Sequence, residues 1–150
     1  SVAQNITLPD GVTMRREFVE KWSTLLIFGD NRQEIDLAAI ATQAGVDCNF
    51  IALFDSRAEQ FDAEDLLWLA AANTEPSRDI KLAGNSLTID ARAKFPGEGG
   101  NPARFPNVVT SSEQTIEAVD SRWSEYGIGE FISSPSRKYR KLLLSDKAEW

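Results

Sequence analysis

The sequence predicts an α/β fold in one domain: a three-layer arrangement of a largely parallel sheet of about four strands flanked by helices, with a C-terminal helical extension. Two apolar runs, "STLLIFGD" and "CNFIALFD", are too short for helices and are suited to strands covered on both faces. Segments with helical period separate and follow them, and the order strand, helix, strand, helix, strand implies right-handed crossovers between parallel neighbours. The 150 residues, 42% hydrophobic and 26% charged, suffice for a single buried core without staples.

Taken in order, residues 1–23 open with polar and turn-forming residues. "MRREFVEKW" then sets Met14, Phe18, Val19 and Trp22 on one helical face, so a loop and a short helix are expected. Residues 24–93 form the βαβαβ core. After the first strand, Leu37, Ile40, Ala41 and Ala44 repeat at i, i+3, i+4, i+7, and Gly45 supplies a C-terminal stop. After the second strand, Asp62 is placed as an N-cap with Asp65 three positions on, and Ala63, Leu66, Leu67, Ala70 and Ala71 make the apolar face of a helix that Pro76 ends. "DIKLAG" is a third short strand and "NSLTIDA", with Leu87 and Ile89 alternating against Thr88 and Asp90, a fourth.

Residues 94–111 hold Pro96, Gly97, Gly99, Gly100, Pro102 and Pro106, an irregular loop longer than a routine connection. In 112–150, "SEQTIEAVDSRWSEYG" predicts a helix with Ile116, Val119, Trp123 and Tyr126 on one side. "SRKYRKLLLSDKAEW" predicts a last helix bearing a basic cluster and three adjacent leucines.

Composition excludes several chemistries. The net charge of −7 disfavours a protein that tracks nucleic-acid phosphates. A lone cysteine, Cys48, rules out an internal disulfide, and the absence of histidine removes zinc-finger ligand sets and any nucleophile paired with histidine. With no 18-residue apolar run and no basic-then-apolar start, a cytoplasmic protein with no membrane partner is expected. The chain begins at Ser1 rather than Met, as a processed protein, a tagged chain or a fragment does.

Candidate sites are few. Asp30 and Asp55 close the first two strands, where carboxylates of an open α/β sheet can hold a magnesium ion or a phosphate-bearing ligand. A stand-alone, receiver-like binding module would use them so; the plainer role of Asp in such turns is local capping. "FPGEGGNP" neither follows a strand nor opens a helix and reads as a loop. Arg137, Lys138, Arg140 and Lys141 read as a solvated or self-docking helix side. Trp68 stands apart from its helix's apolar face, on the side of Glu64, Asp65 and Glu75, and is expected to face a second packed layer.

The run "FIALFD…FDAEDLLWLAAANTEPSRDI" resembles the carboxyl-terminal region of the UbiD family of decarboxylases. Members there show an apolar strand ending in acidic residues, a helix with a D-V-L-W-A-type core, an alanine-threonine-arginine turn and a D-P-x-R-D close. Upstream, "TLLIFGDNRQEIDLAAIATQAGV" looks like the strand and alanine-rich helix that precede this element. Downstream, "LTIDARAKF" looks like the family's G-I-D-A-T-K-K segment, and "AVDSRWSEYGIG" like its V-D-x-R-W-x-E-Y-G-L helix. The likeness spans about residues 24–130 in the family's order. Pro76, Arg78, Asp79 and Asp90 match; Asn73 stands where the family has arginine, and "DSRAEQ" replaces its acidic cluster.

The resemblance implies a part of an enzyme: the C-terminal domain, or a separate small subunit, of a (de)carboxylase acting on aromatic or α,β-unsaturated carboxylic acids. The complete enzyme would use prenylated FMN, with a divalent metal and a monovalent cation. The family's flavin site and catalytic glutamate-arginine-glutamate set lie in preceding domains, so the resemblance assigns this chain no catalytic, cofactor-binding or metal-binding residue. It leaves Trp68, Asn73, Pro76, Arg78, Asp79 and Asp90 as motif or interface candidates. The implied partners are a flavin-binding domain or large subunit and, through the C-terminal helix, further copies of the same chain.

Overall fold

A computed structural model describes residues 6–44, 48–97, 100–101 and 103–147. The chain divides into two compact units, Ser1–Asn101 and Pro102–Trp150. Among the described residues, no helix is long and apolar enough to cross a membrane.

In the first unit, β1 (Thr13–Arg15), β2 (Thr24–Gly29), β3 (Phe50–Asp55), β4 (Ile80–Ala83) and β5 (Ser86–Asp90) form one sheet, in the order β1-β2-β3-β5-β4. The central pairs β2/β3 and β3/β5 are parallel, in the registers Leu26↔Ala52 and Ala52↔Ile89. Both edges are antiparallel, β1 through Met14↔Ile27 and β4 through Leu82↔Leu87. The expectation of a largely parallel sheet therefore holds for its centre, with one strand more than the four expected.

Side-chain alternation along the two apolar runs gives each face its own helix. Leu25 and Ile27 of β2 and Ile51 and Leu53 of β3 cluster with Ile40, Ala41 and Ala44 of α2 (Leu37–Ala44). The residues between them, Leu26, Ala52 and Phe54, line the opposite face together with Ala63, Leu66 and Ala70 of α3 (Ala63–Asn73). At Gly29, the last residue of β2, a Cβ would meet the tip of the Ile35 side chain, which would have to shift. Cys48 is buried with its thiol on the Phe50 carbonyl, as expected of a small core residue.

Three local expectations differ from the structure. "MRREFVEKW" does not form one helix. Met14 lies in β1, where pairing with β2 satisfies the backbone of a sheet edge, and only α1 (Val19–Trp22) is helical. α1 closes at Ser23, which adopts the left-handed region (φ 51°) and whose carbonyl accepts the N–H groups of Asn49 and Phe50.

Second, α3 is rotated from the expected face. Asp65, Leu66 and Leu69 are buried, whereas Leu67 is 73% exposed. The entry to α3 sets this phase. Asp62 caps it by accepting the Asp65 N–H at 3.0 Å, and Phe61 and Leu66, the N′ and N4 positions of a hydrophobic staple, are both buried. Arg15 of β1 fixes the same point by donating from Nη1 to the carbonyls of Glu59 and Phe61, at 2.9 and 2.6 Å. After α3, "PSRD" forms a single helical turn, α4 (Pro76–Asp79), with Pro76 in its first turn and Glu75 as N-cap.

Third, in the second unit both expected helices are shorter than their sequence pattern. α6 (Ser136–Tyr139) passes into a 3₁₀ turn at Arg140–Leu142, and the segment beyond is drawn to a buried side chain. Asn107 accepts the Leu144 N–H (3.0 Å) and donates to the carbonyls of Ser145 and Lys147 (both 2.7 Å), bonds that a continued helix would have made internally. Leu142 is buried and Leu143 and Leu144 are half-buried. The basic cluster docks on its own unit. Arg137 pairs with Glu113 and Asp120 of α5 (Glu113–Asp120), and Arg140 donates to the Ser111 carbonyl. The expected extension of α5 through Tyr126 is a separate 3₁₀ turn, Trp123–Tyr126, stopped at Gly127 (φ 63°).

Candidate functional site

Several motif residues of the first unit come together just beyond the carboxyl end of β5. β5 ends at Asp90 and the chain bends at Arg92, where the backbone N–H donates to the Asp90 carboxylate at 3.1 Å, so the side chains of Asp90, Arg92 and Lys94 meet. Arg92 grips the Asp90 carboxylate through Nε (3.0 Å) and Nη2 (2.7 Å), while its Nη1 donates to the Asp30 and Gln33 carbonyls at 2.7 Å each. One guanidinium thus ties the end of β5 to the turn after β2.

Lys94 is 8% exposed and donates to the backbone carbonyls of Asp90 (2.8 Å) and Arg92 (2.7 Å). Its ammonium lies 3.4 Å from the Asp90 carboxylate and 3.7 Å from that of Asp79. Asp79, at the end of α4, accepts Arg78 Nε and Nη2 (2.9 and 2.7 Å) and the Glu75 N–H (2.8 Å). Asn73, at the end of α3, donates to the Ala91 carbonyl at 3.0 Å.

The electrostatics follow from this packing. Burial alone would raise the carboxyl pKa of Asp79 and Asp90. Hydrogen bonds from Arg78 and Arg92, with the Lys94 charge, outweigh it and hold both below the usual carboxylate range. Burial draws the Lys94 ammonium below its ordinary value, partly offset by Asp90 and Asp79.

Asp55 and Asp30 take separate roles. Asp55, 7% exposed at the end of β3, accepts the Ala93 N–H at 2.9 Å, with Arg57 3.6 Å away. Asp30 is exposed and accepts the Arg32 N–H at 2.8 Å. Among the described residues, no group of three or more Cys, Asp or Glu side chains is placed to hold a metal ion. The carboxylates of Asp79 and Asp90 are bonded to cationic side chains, so these residues do not fit the divalent metal that the resemblance implies for a complete enzyme.

Burial raises the Asp55 pKa, and the Ala93 N–H and the charges of Arg57 and Arg92 only partly reverse it. An unfolded aspartate titrates near ~3.9. A raised folded value means that the stabilising contribution of Asp55 is complete below that pH and is lost as pH rises through the folded value. Asp55→Asn keeps an oxygen for the Ala93 N–H. We expect it to match or exceed the parent stability at pH 7 by up to ~1 kcal/mol, with the difference vanishing near pH 4. Urea unfolding at the two pH values checks this, and a clear loss at pH 7 would mean that the charged form is required.

Of the motif candidates, Asn73, Arg78, Asp79 and Asp90 belong to this cluster, whereas Pro76 starts the exposed turn before it. Trp68 lies elsewhere, 44% exposed on the outer side of α3. Sequence reasoning passed over Arg92 and Lys94, which follow β5 in a bend rather than in the strand itself.

Two surfaces border these elements. A 310 Å³ cleft is lined by Arg32, Asp90, Arg92, Lys94, Phe95 and Asn101. On the α3 face, Phe18, Trp22, Leu26, Phe50, Leu67 and Ile89 line an apolar groove of 250 Å³. Phe18 and Trp22 stack at 4.8 Å on its rim.

No family model matches the chain. An uncharacterized protein of Aeropyrum pernix is 26% identical over 95 residues, 52% of this chain and 19% of that protein. Among solved structures, the vanillic acid decarboxylase of Sedimentibacter hydroxybenzoicus in its open form is similar at a TM-score of 0.48 and 18% identity, over 71% of this chain and 27% of that one. An evolved dimeric form of the UbiD-class enzyme HmfF from Pelotomaculum thermopropionicum, in complex with prFMN, gives 0.44 and 18%, over 65% and 22%. The chain therefore spans about a fifth to a quarter of the length of the proteins it matches.

Proposed function

We propose that this chain is the carboxyl-terminal α/β domain, or a separate small subunit, of a UbiD-like (de)carboxylase acting on aromatic or α,β-unsaturated carboxylic acids. Its part is assembly and closure of the active site, with bond cleavage left to residues outside it. The observation that carries the reading is convergence. Three of the four segments that resemble the family, all in the first unit, meet in a single knot: Asp79 from the α3–α4 motif reaches Lys94, and Arg92 of the "DARAK" segment donates to the Asp30 and Gln33 carbonyls after β2. The knot is saturated by its own ion pairs and carbonyls, which suits a brace that holds the strand ends.

Under this reading, prenylated FMN sits in a partner flavin domain or large subunit and supplies the decarboxylation chemistry there. The apolar α3 face, with Trp68 and Leu67 exposed beside it, offers the surface for that partner.

The test is reconstitution. The purified chain supplied with prenylated FMN should not decarboxylate cinnamate or vanillate, whereas a flavin-domain protein encoded next to or in frame with it should co-purify with it and need it for full turnover. Turnover by the chain alone, or a flavin protein equally active without it, would overturn the proposal.

A further inference from the structure

The two faces of the sheet are unequally covered. On the α2 side Leu25, Ile27, Ile51 and Leu53 are fully buried. On the other side α3 leaves part of the sheet bare. Phe50 pairs in register with Leu87, and Leu87 with Leu82, so the three form one stripe across β3, β5 and β4; they are 40%, 37% and 74% exposed. We propose that this face binds an amphipathic helix of a partner polypeptide, whose apolar stripe is flanked by lysine or arginine. Such a helix would belong to the flavin-binding partner under the reading above, on which its source rests, though not its chemistry.

The shape of the groove asks for a helix. Ala63, Leu66, Leu67 and Ala70 of α3, at i, i+3, i+4 and i+7, line it, although Leu66 and Leu69 already bury an apolar edge against the rest of the unit. Alanines at both ends of this stripe let a neighbouring helix approach to the usual axis separation of about 8–10 Å. Phe18 and the α1 residue Trp22, stacked on each other, form a further wall. A segment lying on the face of a sheet finds no backbone ladder to join. It must satisfy its own N–H and C=O groups, as an α-helix does.

The lining and the charge narrow the occupant. Among the described residues that line the groove only Thr24 is polar, and its hydroxyl donates to the Trp22 carbonyl at 2.9 Å. A small ligand would find little there to fix its orientation. Residues 1–101 contain 9 Lys and Arg against 16 Asp and Glu. Beside the groove α1 and α3 expose Glu20 and Glu64, with Lys21 drawn over the Trp22 ring at 5.2 Å. Two copies of this face brought together would double the negative excess, whereas a helix with basic flanks offsets it.

Amide ¹H–¹⁵N spectra of the full chain, recorded during titration with a designed leucine-alanine-lysine helix of about 18 residues, test the proposal. Saturating shifts should cluster at residues 18–26, 50–54, 63–70 and 82–89. The same peptide with glutamate for lysine, and a shuffled peptide of equal composition, should each bind about tenfold more weakly or worse. Leu67→Ser, at a largely exposed position, should raise the midpoint about tenfold, and Leu82→Ser, at the end of the stripe, should raise it less. Ile132→Ser, in the second unit, should leave it unchanged. Equal binding of all three peptides, or a Leu67→Ser midpoint equal to the parent's, would remove the site. Dimerisation of the chain alone that Leu67→Ser abolishes would give the face to a second copy and overturn the proposal. A flavin protein that co-purifies with Leu67→Ser as well as with the parent would remove this groove as its contact while leaving the decarboxylase reading in place.

Discussion

Replacing Asp79 by alanine is expected to cost about 3–5 kcal/mol of folding stability, a large share of what a domain of this size has. The side chain is 4% exposed and accepts three hydrogen bonds, two from Arg78 and one from the Glu75 N–H, with the Lys94 ammonium 3.7 Å away. Alanine strips these groups of a common acceptor. It leaves Lys94, 10% exposed at its side chain, with Asp90 as its remaining close carboxylate. The Glu75 N–H loses its partner at the point where α3 hands over to α4. Asp79→Asn retains an oxygen for that N–H but not the charge, so its cost should be smaller, roughly 1–3 kcal/mol.

The pH dependence separates a charge effect from a packing effect. The folded pKa of Asp79 lies below its ordinary value, because Arg78, the Glu75 N–H and Lys94 outweigh the upward push of burial. Its contribution is therefore fully present above the unfolded value near ~3.9 and is lost as pH falls through the folded value. Urea unfolding followed by tryptophan fluorescence should show a gap between parent and Asp79→Ala that is constant from pH 7 to 5 and narrows below about 4. A loss under ~1 kcal/mol at pH 7 would mean that the knot contributes no net stability, as some buried ion pairs do not.

The parts of the fold that were legible are those whose signal is local. β2, β3 and α2 were readable because each carries its burial pattern in its own residues, and Asp62 announced α3 because capping is a short-range chemistry. β1 was not legible. Met14, Phe18, Val19 and Trp22 satisfy a helical period, yet the backbone from Thr13 to Arg15 pairs with β2, a partner roughly a dozen residues away that periodicity does not register. The face of α3 was misjudged because Ala71 and Leu67 look as apolar as Leu69, while the phase is set by Phe61 and by Arg15 from a distant strand. The last helix was overextended because "KLLL" favours helix, whereas Asn107, 37 residues before Leu144, captures the backbone. The site divides in the same way. Of Asp90, Arg92 and Lys94 only Asp90 was singled out, because the bend at Arg92 that joins the three is not a periodic signal, and the approach of Asp79 to Lys94 exists only once the β4–β5 hairpin has folded.

Phe28→Ala is the second substitution with a large expected effect, about 3–5 kcal/mol, and its consequence should be one-sided. Phe28 is fully buried and packs against Phe54, with ring centroids 5.9 Å apart. Phe54 lines the face covered by α3, whereas Leu25, Ile27, Ile51 and Leu53 point to α2. A cavity at Phe28 therefore removes support beneath α3 and leaves the α2 layer packed. Hydrogen exchange of native protein should show amides of α3 opening more readily in Phe28→Ala while those of α2 change only by the global loss. Leu53→Ala, an equally buried deletion on the other face, should give the converse pattern at about 2–5 kcal/mol. Phe28→Leu, which restores most of the volume, should recover all but roughly 1–1.5 kcal/mol. Equal acceleration of both helices in both variants would show that the sheet and its two layers open only as one unit, and the two-faced core would then have no energetic meaning.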